Sequence, residues 1–138
     1  MTQSISKIKI IIALAILSLF LVKENVSAGN QVIASHTDGS VTVKILSSKS
    51  AFQKGNNRFE LEFTENGSAF DAGKAVKLHF YMPAMPPTMP EMRDDAKIRA
   101  TGKTGIYKGR VRLQMSGSWQ VNISYGSGKT MSFDIIAE

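Results

Sequence analysis

Beyond residue 28, apolar and polar residues alternate almost one for one, the period of strands with one buried face. Ser40-Val-Thr-Val-Lys-Ile-Leu46 alternates behind an Asp38-Gly39 turn pair, which predicts a hairpin with the short run at residues 31–36. In Arg58-Phe-Glu-Leu-Glu-Phe63 the apolar Phe59, Leu61 and Phe63 share one face, and Glu60 and Glu62 take the other. A turn-rich connection from Glu65-Asn-Gly-Ser68 to Gly73 leads to a run in which Val76, Leu78, Phe80 and Met82 face one way. A short strand is predicted at residues 97–100, followed by a turn at Gly102 and Gly105. Tyr107, Val111, Leu113 and Met115 then form one inward set, opposite Lys108, Arg110 and Arg112, and Trp119, Val121, Ile123 and Tyr125 form the next. Gly126-Ser-Gly128 reads as a hairpin turn, after which Met131, Phe133 and Ile135 close the domain.

Residues 29–138 carry no helical periodicity. About seven short strands separated by turn signals predict an all-β, immunoglobulin-like β-sandwich with Trp119 as its central large side chain. The charged positions alternating along these strands read as solvated faces, with Glu60 and Glu62 as cross-strand partners for Lys108, Arg110 and Arg112.

The first 28 residues follow a different pattern. Lys7 and Lys9 precede an apolar run at residues 10–22 that contains a single polar residue, Ser18, and Val26-Ser-Ala28 supplies the small residues of a cleavage site. The expected organisation is a signal peptide at residues 1–28, cut after Ala28, and one exported domain at 29–138, periplasmic or extracellular. The apolar run of 13 residues is shorter than the roughly 20 that cross a bilayer as a helix, so membrane attachment enters only if this segment stays uncleaved as an anchor.

One stretch departs from the alternation. Met82-Pro-Ala-Met-Pro-Pro-Thr-Met-Pro-Glu-Met92 holds four of the seven methionines and all four prolines. The methionine spacing would make an apolar stripe on a helix, but Pro83, Pro86, Pro87 and Pro90 exclude one and push each preceding residue into extended geometry. A stiff polyproline II loop is expected, with Met82 and Met85 on one face and Met89 and Met92 on another.

Composition narrows the chemistry. The chain has no cysteine, which excludes a disulfide framework and leaves methionine as its only soft sulfur ligand. Residues 29–138 hold fourteen Lys and Arg against ten Asp and Glu, a net +4, in a scattered arrangement that predicts solubility and no nucleic-acid partner. Gly126-Ser-Gly-Lys-Thr130 resembles the end of a phosphate-binding loop, but Ile123 stands where that motif needs its first glycine. The two histidines, His36 and His79, meet no cysteine nucleophile and no Gly-x-Ser-x-Gly elbow. Glu91, Asp94 and Asp95 beside Arg93 and Lys97 read as a solvated mixed-charge turn, and no catalytic function is expected.

Thioethers select Cu(I), so Met82, Met85, Met89 and Met92 are candidate metal ligands, with His79 three residues upstream as a further one. In a regular strand His79 and Met82 face opposite sides, so joint ligation requires a twist or strand end near Tyr81. Met82 and Met115 continue core stripes, so the metal reading rests chiefly on Met85, Met89 and Met92. The competing expectation makes the same apolar loop a docking edge for an envelope or respiratory-complex protein, with no metal involved.

Three segments together, Met82-Pro-Ala-Met85, Gly105-Ile-Tyr-Lys-Gly109 and Leu113-Gln-Met-Ser-Gly-Ser-Trp119-Gln-Val121, resemble the YtkA-like domain family, itself similar to the FixH family. The resemblance runs over about residues 41–136, most of the exported domain. It implies an extracytoplasmic β-sandwich associated with copper handling or with assembly of copper-containing oxidases, and hence a copper-transport or oxidase-assembly component as partner. The loop here is longer and richer in Met-Pro than the family's minimal Met-Pro-x-Met segment, and the N-terminal segment reads as cleavable where FixH-type members are membrane-anchored.

Overall fold

The computed structural model describes residues 29–138; the expected signal peptide lies outside the described residues. Ten strands run in chain order: β1 Gln31–Asp38, β2 Val41–Ser47, β3 Gly55–Glu65, β4 Ser68–Ala69, β5 Lys77–Met82, β6 Met92–Asp95, β7 Lys97–Ala100, β8 Ile106–Leu113, β9 Gly117–Tyr125 and β10 Lys129–Ala137. They form two antiparallel sheets, β1-β2-β3-β8-β7 with β4 alongside β3, and β10-β9-β5-β6. This is the expected immunoglobulin-like sandwich, and the described residues contain no helix. The predicted hairpins at Asp38-Gly39 and Gly126-Ser-Gly128 are present.

The inward faces are those the alternation marked. Val43, Ile45, Leu61 and Phe63 from one sheet meet Phe80, Trp119, Val121 and Ile123 from the other, all fully buried. Aromatic rings join the layers: Phe63 of β3 lies 5.6 Å from Tyr125 of β9. Phe52, in the β2–β3 connection, is edge-on to both Phe59 and Phe80.

Two short strands were not legible as strands, β4 and β6, whereas the strand predicted at residues 97–100 is β7. Glu91 aside, the acidic stretch expected to be a mixed-charge turn forms β6, which pairs residue for residue with β5 from His79↔Asp95 to Met82↔Met92. A single residue, Ala96, then carries the chain across to the other sheet, where β7 pairs with β8. The Ala96 N–H donates to the Leu78 carbonyl at 2.9 Å, fixing this crossing. The expected charge pairing is also corrected. Register sets Glu60 opposite Lys108, but Glu62 opposite Ile106 and Arg58 opposite Arg110, and the one salt bridge among the described residues is Arg93–Asp95 at 3.0 Å. The Glu62 side chain instead faces Lys44 across the β2–β3 pair.

Both glycines of Gly105-Ile-Tyr-Lys-Gly109 are explained by space. Gly105 sits at φ +77, and a Cβ there would lie 2.7 Å from the Phe63 carbonyl oxygen and 2.8 Å from that of Phe70. Its own carbonyl accepts from the Phe63 N–H at 2.8 Å, so the backbones cannot separate without losing that bond. Gly109 faces inward opposite Phe59, where a Cβ would lie 2.4 Å from the ring. Gly109→Ala is expected to lower stability by about 1–3 kcal/mol through overpacking. Gly105→Ala should cost more, since the obstructing atoms are backbone and the φ is strained for alanine. Urea unfolding of the two variants measures both, and unchanged midpoints would contradict this account.

Candidate metal centre

The Met-Pro stretch is a hairpin tip, not an extended polyproline II loop. Met85 and Met89 are bonded to each other twice through the backbone, Met85 N–H to Met89 C=O at 2.8 Å and the reverse at 3.1 Å. Their register continues that of Met82↔Met92, so the methionines pair across the hairpin, Met82 with Met92 and Met85 with Met89. The expected grouping along the strand, Met82 with Met85 and Met89 with Met92, is thereby corrected. The prolines act differently from a continuous polyproline helix. Pro83 falls at a position that would donate to the ladder and interrupts it, whereas Pro90, two residues before the edge strand β6, falls at a non-bonded position, where a missing donor is tolerated. Three positions separate the doubly bonded Met85–Met89 pair from Met82–Met92, which places the latter at a non-bonded position, with Cα atoms about 4.5 Å apart and side chains close.

Burial divides the five methionines at this end of the sandwich. Met82 is 3% exposed and packs in the core, Met85 is 50% exposed, and Met89, Met92 and Met115 are half-buried. Met82, Met85 and Met115 together line a cleft of about 430 Å³, with Tyr81, Pro83, Gln120 and Asp134 around them. Met89 and Met92 are not part of that lining.

Met115 reaches the cleft because its turn is held from two sides. The Trp119 indole N–H donates to the Met115 carbonyl at 3.0 Å. The Asp94 carboxylate accepts from the Gln114 backbone N–H at 3.1 Å and from its side-chain amide at 2.8 Å, tying the β8–β9 connection to β6. Gly117, at φ +126, removes the side chain that would otherwise approach the Met82 methyl, with a Cβ at 3.4 Å from it. Thus the Met-Pro-x-Met and Met-x-Gly-x-Trp segments meet in space. Sequence reasoning missed Met115 because it lies in phase with the inward positions of β8; its place in the Met-x-Gly-x-Trp segment was the available signal.

His79 stands apart from this group. The burial of β5 alternates, with Leu78, Phe80 and Met82 inward and His79 and Tyr81 outward, so the twist that joint ligation needs is absent. Across the strand pair His79 faces Asp95. Desolvation and the nearby Arg93 charge push its imidazole below the usual histidine value, against the opposing pull of Asp95. Tyr81 donates to Glu91 at 3.0 Å, and that bond and charge hold the phenol above its usual range. Among the described residues no three His, Asp or Glu side chains gather as a metal cluster. The chemistry at the cleft is therefore that of uncharged, polarisable sulfur, with Asp134 as the one carboxylate at its rim.

The His79 shift fixes a sign. A depressed folded-state value means the unfolded chain binds the proton more readily, so this group's contribution to stability is present above about pH 6.5 and falls as pH drops through the folded value. Arg93→Gln removes one of the two lowering causes, and an NMR titration of the His79 ring should move upward toward 6.5. An unmoved or lower midpoint would exclude Arg93 as a cause.

No curated protein and no solved structure matches the chain. A family model described as YtkA-like matches residues 22–124, about three-quarters of the sequence, and stops before β10. That span contains both methionine-bearing segments that meet at the cleft, and the chain belongs to the YtkA-like family.

Proposed function

We propose that this protein is an exported copper-handling module that binds Cu(I) through thioethers at the end of the sandwich and passes it on or buffers it. The observation that carries the reading is the convergence of Met82, Met85 and Met115, from two separate segments, on one cleft. Thioethers favour Cu(I), carry no charge, and release the ion readily enough for delivery. Met89 and Met92, paired across the hairpin with Met85 and Met82, are the reserve ligands if the tip rearranges around the ion. The export assignment rests on the N-terminal apolar run and small-residue site.

A second reading is favoured by the exposure of Met85 on a projecting tip: the hairpin docks an envelope protein through apolar contact, without metal. Leucine distinguishes the two, because it preserves volume and apolarity while removing sulfur.

Cu(I) competition against a chromophoric chelator, with residues 29–138, tests the copper reading. Combined Met85→Leu and Met115→Leu should weaken binding at least tenfold, whereas Met131→Leu, buried on β10, should leave it unchanged. Affinity should hold between pH 7 and pH 5, because thioethers do not titrate and His79 is not among the residues that line the cleft. Equal affinity of the double variant and the parent would reject the methionine site.

A further inference from the structure

The outward face of β3, β8 and β7 concentrates the domain's positive charge. Cross-strand register stacks Arg58, Arg110 and Lys97 in one row and Glu60, Lys108 and Arg99 in the next, with Arg112 two positions along β8. All six cations are exposed, and the outward carboxylates of β3 are Glu60 and Glu62, so this face carries a net +4, equal to the net charge of residues 29–138 as a whole. None of the six makes a salt bridge within the described chain. Like charges directly opposite one another across a strand pair are destabilising, so the Arg58–Arg110–Lys97 row works against the fold that displays it.

We infer that this cationic face is a docking surface for the anionic phospholipid headgroups of a membrane. The face bounds a shallow groove of about 540 Å³, lined by Arg58, Lys97, Arg99, Lys108 and Arg110, with Asn30 at one rim. Where the apolar run at residues 10–22 stays uncleaved as an anchor, it joins the domain at Asn30, beside these cations. The cations spread over three strands, which suits a field of headgroups more than one small anion. Stacking platforms for single-stranded nucleic acid are missing, since Phe59, the aromatic residue lining the groove, is buried among core rings.

Residues 29–138 contain both sheets and the whole core, so this domain serves for the test without the apolar segment. Sedimentation with phosphatidylglycerol/phosphatidylcholine vesicles should show binding that is absent on phosphatidylcholine alone and lost as NaCl rises from about 0.05 to about 0.5 M. Each cation near an anionic surface contributes a factor of about five, so combined Arg58→Gln, Lys97→Gln and Arg110→Gln should reduce partition on the order of a hundredfold. Combined Lys74→Gln, Lys77→Gln and Lys129→Gln makes the same change in net charge away from the groove and should retain most of the binding; circular dichroism melts check that both variants fold. Equal loss in the two triple variants would overturn the inference by reducing it to net charge. Absence of vesicle binding would also overturn it, and capture by soluble polyglutamate without vesicle binding would assign the face to an acidic protein instead.

Discussion

The hydrogen bond from the Trp119 indole to the Met115 carbonyl is the contact on which the functional end of this molecule depends. Trp119 is fully buried between the sheets, and an indole N–H in that position must be satisfied. The partner that satisfies it belongs to the turn before its own strand, so packing the largest core side chain also sets the path of residues 115–117. With that path fixed, Gly117 lies against the Met82 methyl and Met115 faces the cleft. Core formation and site assembly are therefore one event.

The opposite side of the same turn is secured by polar groups. Asp94 of β6 holds Gln114, and β6 is itself held by its pairing with β5, the strand that carries Met82. Three strands and one turn are thus locked around the cleft without a disulfide. Of the methionines at this end of the sandwich only Met82 is fully buried, and it is both core residue and cleft wall.

The sandwich was legible because the period of two runs through almost every strand, and burial follows it position by position, as in Gly55–Glu65 and Gly117–Tyr125. The short pairing segments were not. Met92–Asp95 has four residues, half of them acidic, and no apolar alternation to announce it; it becomes a strand only because β5 offers an unpaired edge. The hairpin escaped for a related reason. Proline restricts local geometry in the extended direction, and local geometry alone cannot say that the chain folds back at Pro86-Pro87 to bond Met85 to Met89. Charge was misread in the other direction: alternation correctly put Lys108, Arg110 and Arg112 outside, but only register reveals that Arg58 and Lys97 join them and that Glu62 lies between Lys44 and Ile106 instead of opposite a cation of β8.

Pro83 interrupts the ladder between Met82–Met92 and Met85–Met89, and Pro90, across the hairpin, has no N–H to turn outward. A projecting hairpin at a sheet edge would ordinarily offer a row of free amide and carbonyl groups, the surface onto which another chain adds a strand. Here the two inner bonds between Met85 and Met89 consume the tip's own backbone groups, and the prolines have no N–H to give. The protein can thus hold apolar sulfur out in solvent while denying neighbouring copies a template for edge-to-edge aggregation.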